Sequence, residues 1–281
     1  MRASHLHRAL AALALCLATS ARADWIRDFA ITGLYNDNVS NSNLSADKLD
    51  DFAFDASVRL GKFAELSSAV KVSFTLDFDS RLWANYADLD NLRVGATASL
   101  RYRFGLGAMA PFLRLEAGVH YAGFNQDLQD GSRYRVALVA GKRFTDRLEA
   151  QAAFLFDAAD TQSRLYDQVG FGVSIHASFN LTSSTQLTAD YTFRHGDVVS
   201  YAVPPRPELA ALANDRAGVT TFGTPYVAYN IDATTNSFAV GINQALTRTL
   251  GFSLRYEFSE TSRSTIHYTN NVFTAAWQLS F

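Results

Sequence analysis

A period of two governs this chain. In Phe52 to Leu60, Phe52, Phe54, Ala56, Val58 and Leu60 alternate with Ala53, Asp55, Ser57 and Arg59. Val70, Val72, Phe74, Leu76 and Phe78 alternate with Lys71, Ser73, Thr75, Asp77 and Asp79. The same pattern runs from Val94 to Phe104 and from Val169 to Phe179. An extended strand points successive side chains to opposite faces, so each apolar set shares one face. Twelve segments read this way: 25–35, 50–61, 68–80, 91–104, 111–123, 132–144, 147–159, 167–180, 185–198, 232–245, 249–262 and 270–281. In the sixth, Lys142 falls on the apolar face.

Alternation alone does not say whether the apolar face looks inward to a core or outward to lipid. Three further features choose. The segments exceed the five or six residues usual in globular strands and suit a tilted crossing of a hydrocarbon layer. Connections alternate in length: Thr145-Asp146, Thr182 to Ser184 and Leu246 to Arg248 are short, whereas Asn36 to Leu49 and Val199 to Ile231 are long and polar. Aromatic residues such as Trp25, Tyr35, Phe104, Tyr121, Phe144 and Phe179 gather near segment ends, where membrane interfaces would lie. After the first 23 residues no apolar run reaches the length of a membrane-spanning helix, so insertion would have to use strands closed into a ring.

The start of the chain reads as an export signal. Arg2 and Arg8 precede the apolar stretch Ala9 to Ala18, and Ala21-Arg22-Ala23 fits a small-x-small cleavage site. Residues 1–23 are therefore expected to be cleaved, leaving 24–281 as one domain. Cys16 lies in the discarded part and comes after Leu15 rather than a small residue, which argues against lipidation. Residues 24–281 contain no cysteine and hence no disulfide or thiolate chemistry. The chain carries 25 basic and 27 acidic residues, and loss of Arg2, Arg8 and Arg22 makes it more acidic, which does not suit a nucleic-acid partner.

In the last segment Phe273, Trp277, Leu279 and Phe281 share one face. A terminal Phe with apolar residues two, four and eight positions earlier resembles the insertion signal of Gram-negative outer-membrane β-barrel proteins. That resemblance is to a broad superfamily and implies an all-β, transmembrane, antiparallel up-and-down barrel in the cell outer membrane. It also implies outer-membrane lipid around the barrel and the barrel-assembly machinery as a partner. Twelve strands are expected, with ten and fourteen the neighbouring even counts.

If the apolar face meets lipid, the other face lines a lumen. Strand direction places Arg59, Lys71, Arg101, Arg103, Arg114 and Arg143 toward the periplasmic end, and Asp51, Asp55, Asp77 and Asp79 toward the outer end. Arg93, Arg133 and Arg135 break the pattern by sitting high. The expectation is a passive pore for small hydrophilic, preferentially anionic solutes, with no cofactor and no bound metal. Some twelve-stranded channels for acidic sugars use arginine tracks, and this lumen is similar in that respect. The alternative is a non-conducting barrel serving structure, adhesion or secretion, its arginines locked by Glu116, Glu149, Asp157, Asp190 and Glu257.

The longest connection, about 199–231, holds Pro204-Pro205-Arg206-Pro207, then Glu208 to Ala213 and Gly218, a pattern for a short helix. It reads either as surface decoration or as a lid over the lumen. Asp47, Asp50 and Asp51 could offer oxygen ligands to calcium, although no twelve-residue calcium loop is present. An outer-membrane hydrolase is the third reading. Its best general base would be His195, beside Asp197 but on the lipid-side parity, and no Gly-x-Ser-x-Gly or His-Glu-x-x-His motif accompanies it. The chain is thus not expected to be an enzyme.

Overall fold

The computed structural model describes residues 25–223 and 225–281, so the expected export signal and its cleavage site lie outside the described residues. The strands are β1 (Trp25–Asn36), β2 (Asp51–Glu65), β3 (Val70–Trp83), β4 (Asn91–Arg103), β5 (Phe112–Phe124), β6 (Gly131–Arg143) and β7 (Leu148–Thr161). They continue as β8 (Gln168–Asn180), β9 (Thr185–Ala202), the short β10 (Ala213–Gly218), β11 (Val227–Ala245), β12 (Leu250–Arg263) and β13 (Ile266–Ser280), with one helix, α1 (Pro207–Leu212), before β10. Neighbours pair antiparallel in chain order, β9 pairs with β11, and β13 returns to β1, so twelve strands close a ring. β10 stands outside the ring and extends the sheet beside the outer end of β11. Closure is what a hydrocarbon surround requires, because it leaves no unpaired strand edge.

The outward face is the apolar set read from the sequence. Phe54, Phe74, Leu100, Leu115, Leu138, Phe154, Val173 and Val240 stand exposed around the wall. A continuous apolar belt of this extent is a lipid contact and not a water-facing surface. Phe52, Tyr35, Phe273 and Tyr256 form an aromatic row over four neighbouring strands, with centroids 4.7, 6.5 and 4.9 Å apart. Lys142 does lie on this face, beside the Phe144 ring. Phe273, Trp277 and Phe281 also face out, and Phe281 N–H donates to the Arg27 carbonyl at the β1–β13 seam.

Four of the short turns share one device. Ser67, Thr145, Thr182 and Thr247 each use the hydroxyl to accept the N–H groups two and three residues on, tightening the reversal. At the other end, three outer loops each place an aspartate after a single 3-10 turn. Asp90, Asp130 and Asp167 accept the backbone N–H of Trp83, Phe124 and Thr161, which fixes the rim.

Candidate functional site: the lumen and its capped mouth

β9 and β11 run longer than the sequence segments 185–198 and 232–245 predict, reaching Ala202 and Val227. β8 stays paired with β9 only as far as the Gly170–Gly196 pair. Beyond it the β9–β11 hairpin parts from the wall and leans across the outer mouth. Gly196 makes the departure feasible: its φ is +149°, and a Cβ there would lie 2.2 Å from the Val169 carbonyl oxygen. The strand edge that β8 vacates is taken by the β1–β2 loop from the far wall. Tyr201 N–H donates to Ser40 O at 2.8 Å, and Asn41 Nδ2 donates to Val199 O at 3.0 Å.

Leaning inward reverses the meaning of parity. Lower on β9, Leu187 and Tyr191 face lipid; Val199 and Tyr201, on the same parity, are buried against Leu165, Tyr166, Val219 and Ala228. The opposite face buries Tyr229 and Ile231 against Leu209 of α1, Ile266 and Tyr268. The hairpin and its connection touch each of the other five outer loops. Arg206 binds Asp47 at 2.6 Å with both side chains more than nine-tenths buried. Thr220 donates to Asp88, Thr221 donates to Gln126, and Asn230 donates to the Leu165 carbonyl. Ile266 lies at the β12–β13 reversal. Burial holds the phenols of Tyr166 and Tyr226, both in outer connections, above the ordinary tyrosine range. The 199–231 segment is therefore a lid with two apolar cores, and not surface decoration.

Beneath the lid lies a cavity of about 500 Å³, and below it a second of about 550 Å³; both include Asp79, Arg93, Arg133 and Gln168 in their walls. The expected separation of bases low and acids high is not what the register produces. Arg59 sits directly opposite Asp77, and Arg81 opposite Asp55, so charges of both signs share one height. Asp77, almost fully buried, accepts from Arg59 Nε (3.0 Å) and Thr97 Oγ1 (2.7 Å), with His120 Nε2 3.3 Å away. Asp55 holds Arg81 at 2.7 Å, and Asp79 holds Arg93 at 3.1 Å. Glu116 lies 3.8 Å from Arg114, Glu149 lies 3.8 Å from Arg143, and Lys71 is paired with Glu65. Along the β7–β12 part of the wall Arg194 binds Asp157, while Arg255 binds Asp190 and Glu257.

Four of the predicted lumen bases have no acidic partner within 4 Å among the described residues: Arg101, Arg103, Arg133 and Arg135. Arg101 lies 3.8 Å from the Phe112 ring centroid, where Phe112, Ala137 and Val139 form an apolar patch on the inner wall. Arg103 donates to the Ser68 carbonyl at a periplasmic turn. Arg81, Arg194 and Arg255 are lining bases that the sequence reading misses. The signal for them is parity: Arg81 precedes Leu82, Arg194 follows Phe193 and Arg255 lies between Leu254 and Tyr256, so each takes the parity opposite to these outward residues.

The alternatives find other partners. Asp47 is engaged by Arg206, and Asp51 accepts from Asn85 and Tyr86. Among the described residues no cluster of three metal-ligating side chains forms. His195 lies outside the barrel between Thr234 (Nδ1 to Oγ1, 3.1 Å) and Asp232 (Nε2 to Oδ1, 3.4 Å), whereas Asp197 accepts from Val169 N–H. The adjacent aspartate in sequence is thus not its partner.

With this geometry in view, the chain is similar to an outer-membrane channel from Pseudomonas putida F1, with a TM-score of 0.58 over 93% of this chain and 97% of that one, at 11% identity. The likeness is one of fold, a closed antiparallel β-barrel. The NanC porin (TM-score 0.47, 11% identity, 89% of this chain and 98% of that one) and the KdgM porin (0.45, 10%, 90% and 99%) fit less closely. No family model and no curated protein sequence matches.

Proposed function

We propose that the chain is an outer-membrane pore for small hydrophilic solutes, with a preference for anions and an outer mouth closed by the β9–β11 lid. The observation that carries this reading is the set of guanidinium groups without acidic partners, Arg133 and Arg135 above and Arg101 and Arg103 below, on a wall where Asp55, Asp77, Asp79 and Glu116 are each already paired. Uncompensated cations along a narrow path raise the local concentration of anions and repel cations. Transport would be passive, without catalysis or cofactor. The apolar belt would take outer-membrane lipid, and the face bearing Phe273, Trp277, Leu279 and Phe281 would be read by the barrel-assembly machinery.

The two apolar cores of the lid favour a second reading, a non-conducting barrel. Reversal potentials of refolded protein in a planar bilayer under a salt gradient separate the two. The pore reading expects anion preference that falls when Arg101, Arg103, Arg133 and Arg135 are together replaced by Ser. An unchanged reversal potential in that variant would remove the arginines from the account.

A further inference from the structure

The chamber beneath the lid has a net charge, and its walls say what would neutralise it. Its lining includes two carboxylates, Asp55 and Asp79, and three guanidinium groups, Arg81, Arg93 and Arg133. Two ion pairs use up Asp55, Asp79, Arg81 and Arg93, leaving one positive charge, Arg133. This cation is withdrawn from bulk water, lies 5.4 Å from the Phe124 ring centroid and has no acidic partner among the described residues. A partly buried charge without a counter-charge is costly, so the position suits an anion supplied from outside the chain.

The remaining wall decides what the anion is attached to. Trp83, Phe124, Tyr166 and Tyr201 bring four aromatic side chains to the chamber. Amides suited to reading a hydroxyl-rich solute are mostly occupied. Asn41 Nδ2 donates to Val199 O, Asn91 Nδ2 to Leu89 O, and Gln129 Nε2 to Gln126. Small-molecule sites of a few hundred Å³ commonly combine apolar walls with few orienting polar groups, and a chamber of about 500 Å³ falls in that range.

We propose that this chamber is a binding site for a small monocarboxylate carried on a flat apolar ring, with the carboxylate on Arg133 and the ring among Trp83 and Phe124. The proposal rests on the reading of the lumen as a solute path and adds a resting place on it. Arg133 also lines the lower cavity, but there the carboxylates Asp28, Asp77, Asp79, Glu116 and Asp157 outnumber Arg59, Arg93, Arg133 and Arg135, so only the upper chamber has a net positive wall.

Isothermal titration of the folded, detergent-solubilised barrel with benzoate, benzyl alcohol and gluconate tests the site. Benzoate is expected to saturate at one per barrel, with benzyl alcohol and gluconate each at least tenfold weaker. Arg133→Gln should lower benzoate affinity at least tenfold, and Lys142→Gln, on the outer face, should leave it within twofold. Should Arg133→Gln fail to fold, Phe124→Leu supplies the second variant and should weaken benzoate by several-fold. Benzoate binding no tighter than benzyl alcohol, or indifferent to both Arg133→Gln and Phe124→Leu, overturns the site. Gluconate equal to benzoate overturns the ring. Anion-selective conductance without benzoate binding would reject the chamber site alone; benzoate binding by a barrel that never conducts would reject the pore alone.

Discussion

At the residue scale, Gly196 is where the wall and the lid part. Any side chain there meets the Val169 carbonyl, and its φ of +149° strains every L-residue. Gly196→Ala is expected to destabilise the refolded barrel by about 2 kcal/mol or more, read as a lower urea midpoint. The same change at Gly33, where a Cβ meets nothing within 4 Å, should leave the midpoint nearly unmoved. The lumen charges obey a different rule. Arg59 is 60% exposed on the lumen side, so its pair with Asp77 resembles a surface pair, worth about 1 kcal/mol at most, despite the burial of its partner. These pairings set the field of the lumen more than they set its stability. None can be named from the sequence, because parity gives a residue's face and only the register gives its neighbour. Strand direction puts Arg59 low and Asp77 high for that reason, and they meet.

At the element scale, the lid depends on contacts distant in sequence. Arg206 and Asp47 are buried together, and removing Arg206 leaves Asp47 buried without its cation, at a cost of about 3–5 kcal/mol. That cost should fall on the lid and not on the ring. Arg206→Ala is expected to expose the 203–223 connection to protease while unboiled protein keeps the anomalous gel migration of a closed barrel. A barrel that unfolds as a whole would show that lid and wall form one cooperative unit. The twelve crossing strands are legible in the sequence because lipid on one side and water on the other impose the two-residue period at nearly every position. The outer ends of β9 and β11 are not. Val199 and Tyr201 keep the parity of lipid-facing residues, yet they face the lumen because the hairpin leans inward. The local trace of this in the sequence is Gly196 within the ninth segment, and its pairing with Gly170 is given by the structure. The short helix, by contrast, is marked by Pro207 at its first position and stands at Pro207–Leu212.

At the scale of the whole molecule, an apolar exterior and a charged interior invert the usual order of a globular core, and a bilayer is the surround that permits it. Leu138 lies mid-strand on the outer face, between Leu115 and Phe154. Leu138→Arg should cost about 2–4 kcal/mol in lipid vesicles. A substitution without effect there would mean that the belt does not face hydrocarbon. Inside, paired charges, four guanidinium groups without an acidic partner among the described residues and a chamber under a lid are what the proposed pore, in a closed state, requires. The most direct measurement is a single-channel record of wild type and Arg206→Ala in the same planar bilayer under a salt gradient. A lidded anion pore predicts rare openings for wild type, frequent openings for Arg206→Ala, and anion preference in both. A folded Arg206→Ala barrel that passes no current, or one that prefers cations, would contradict it.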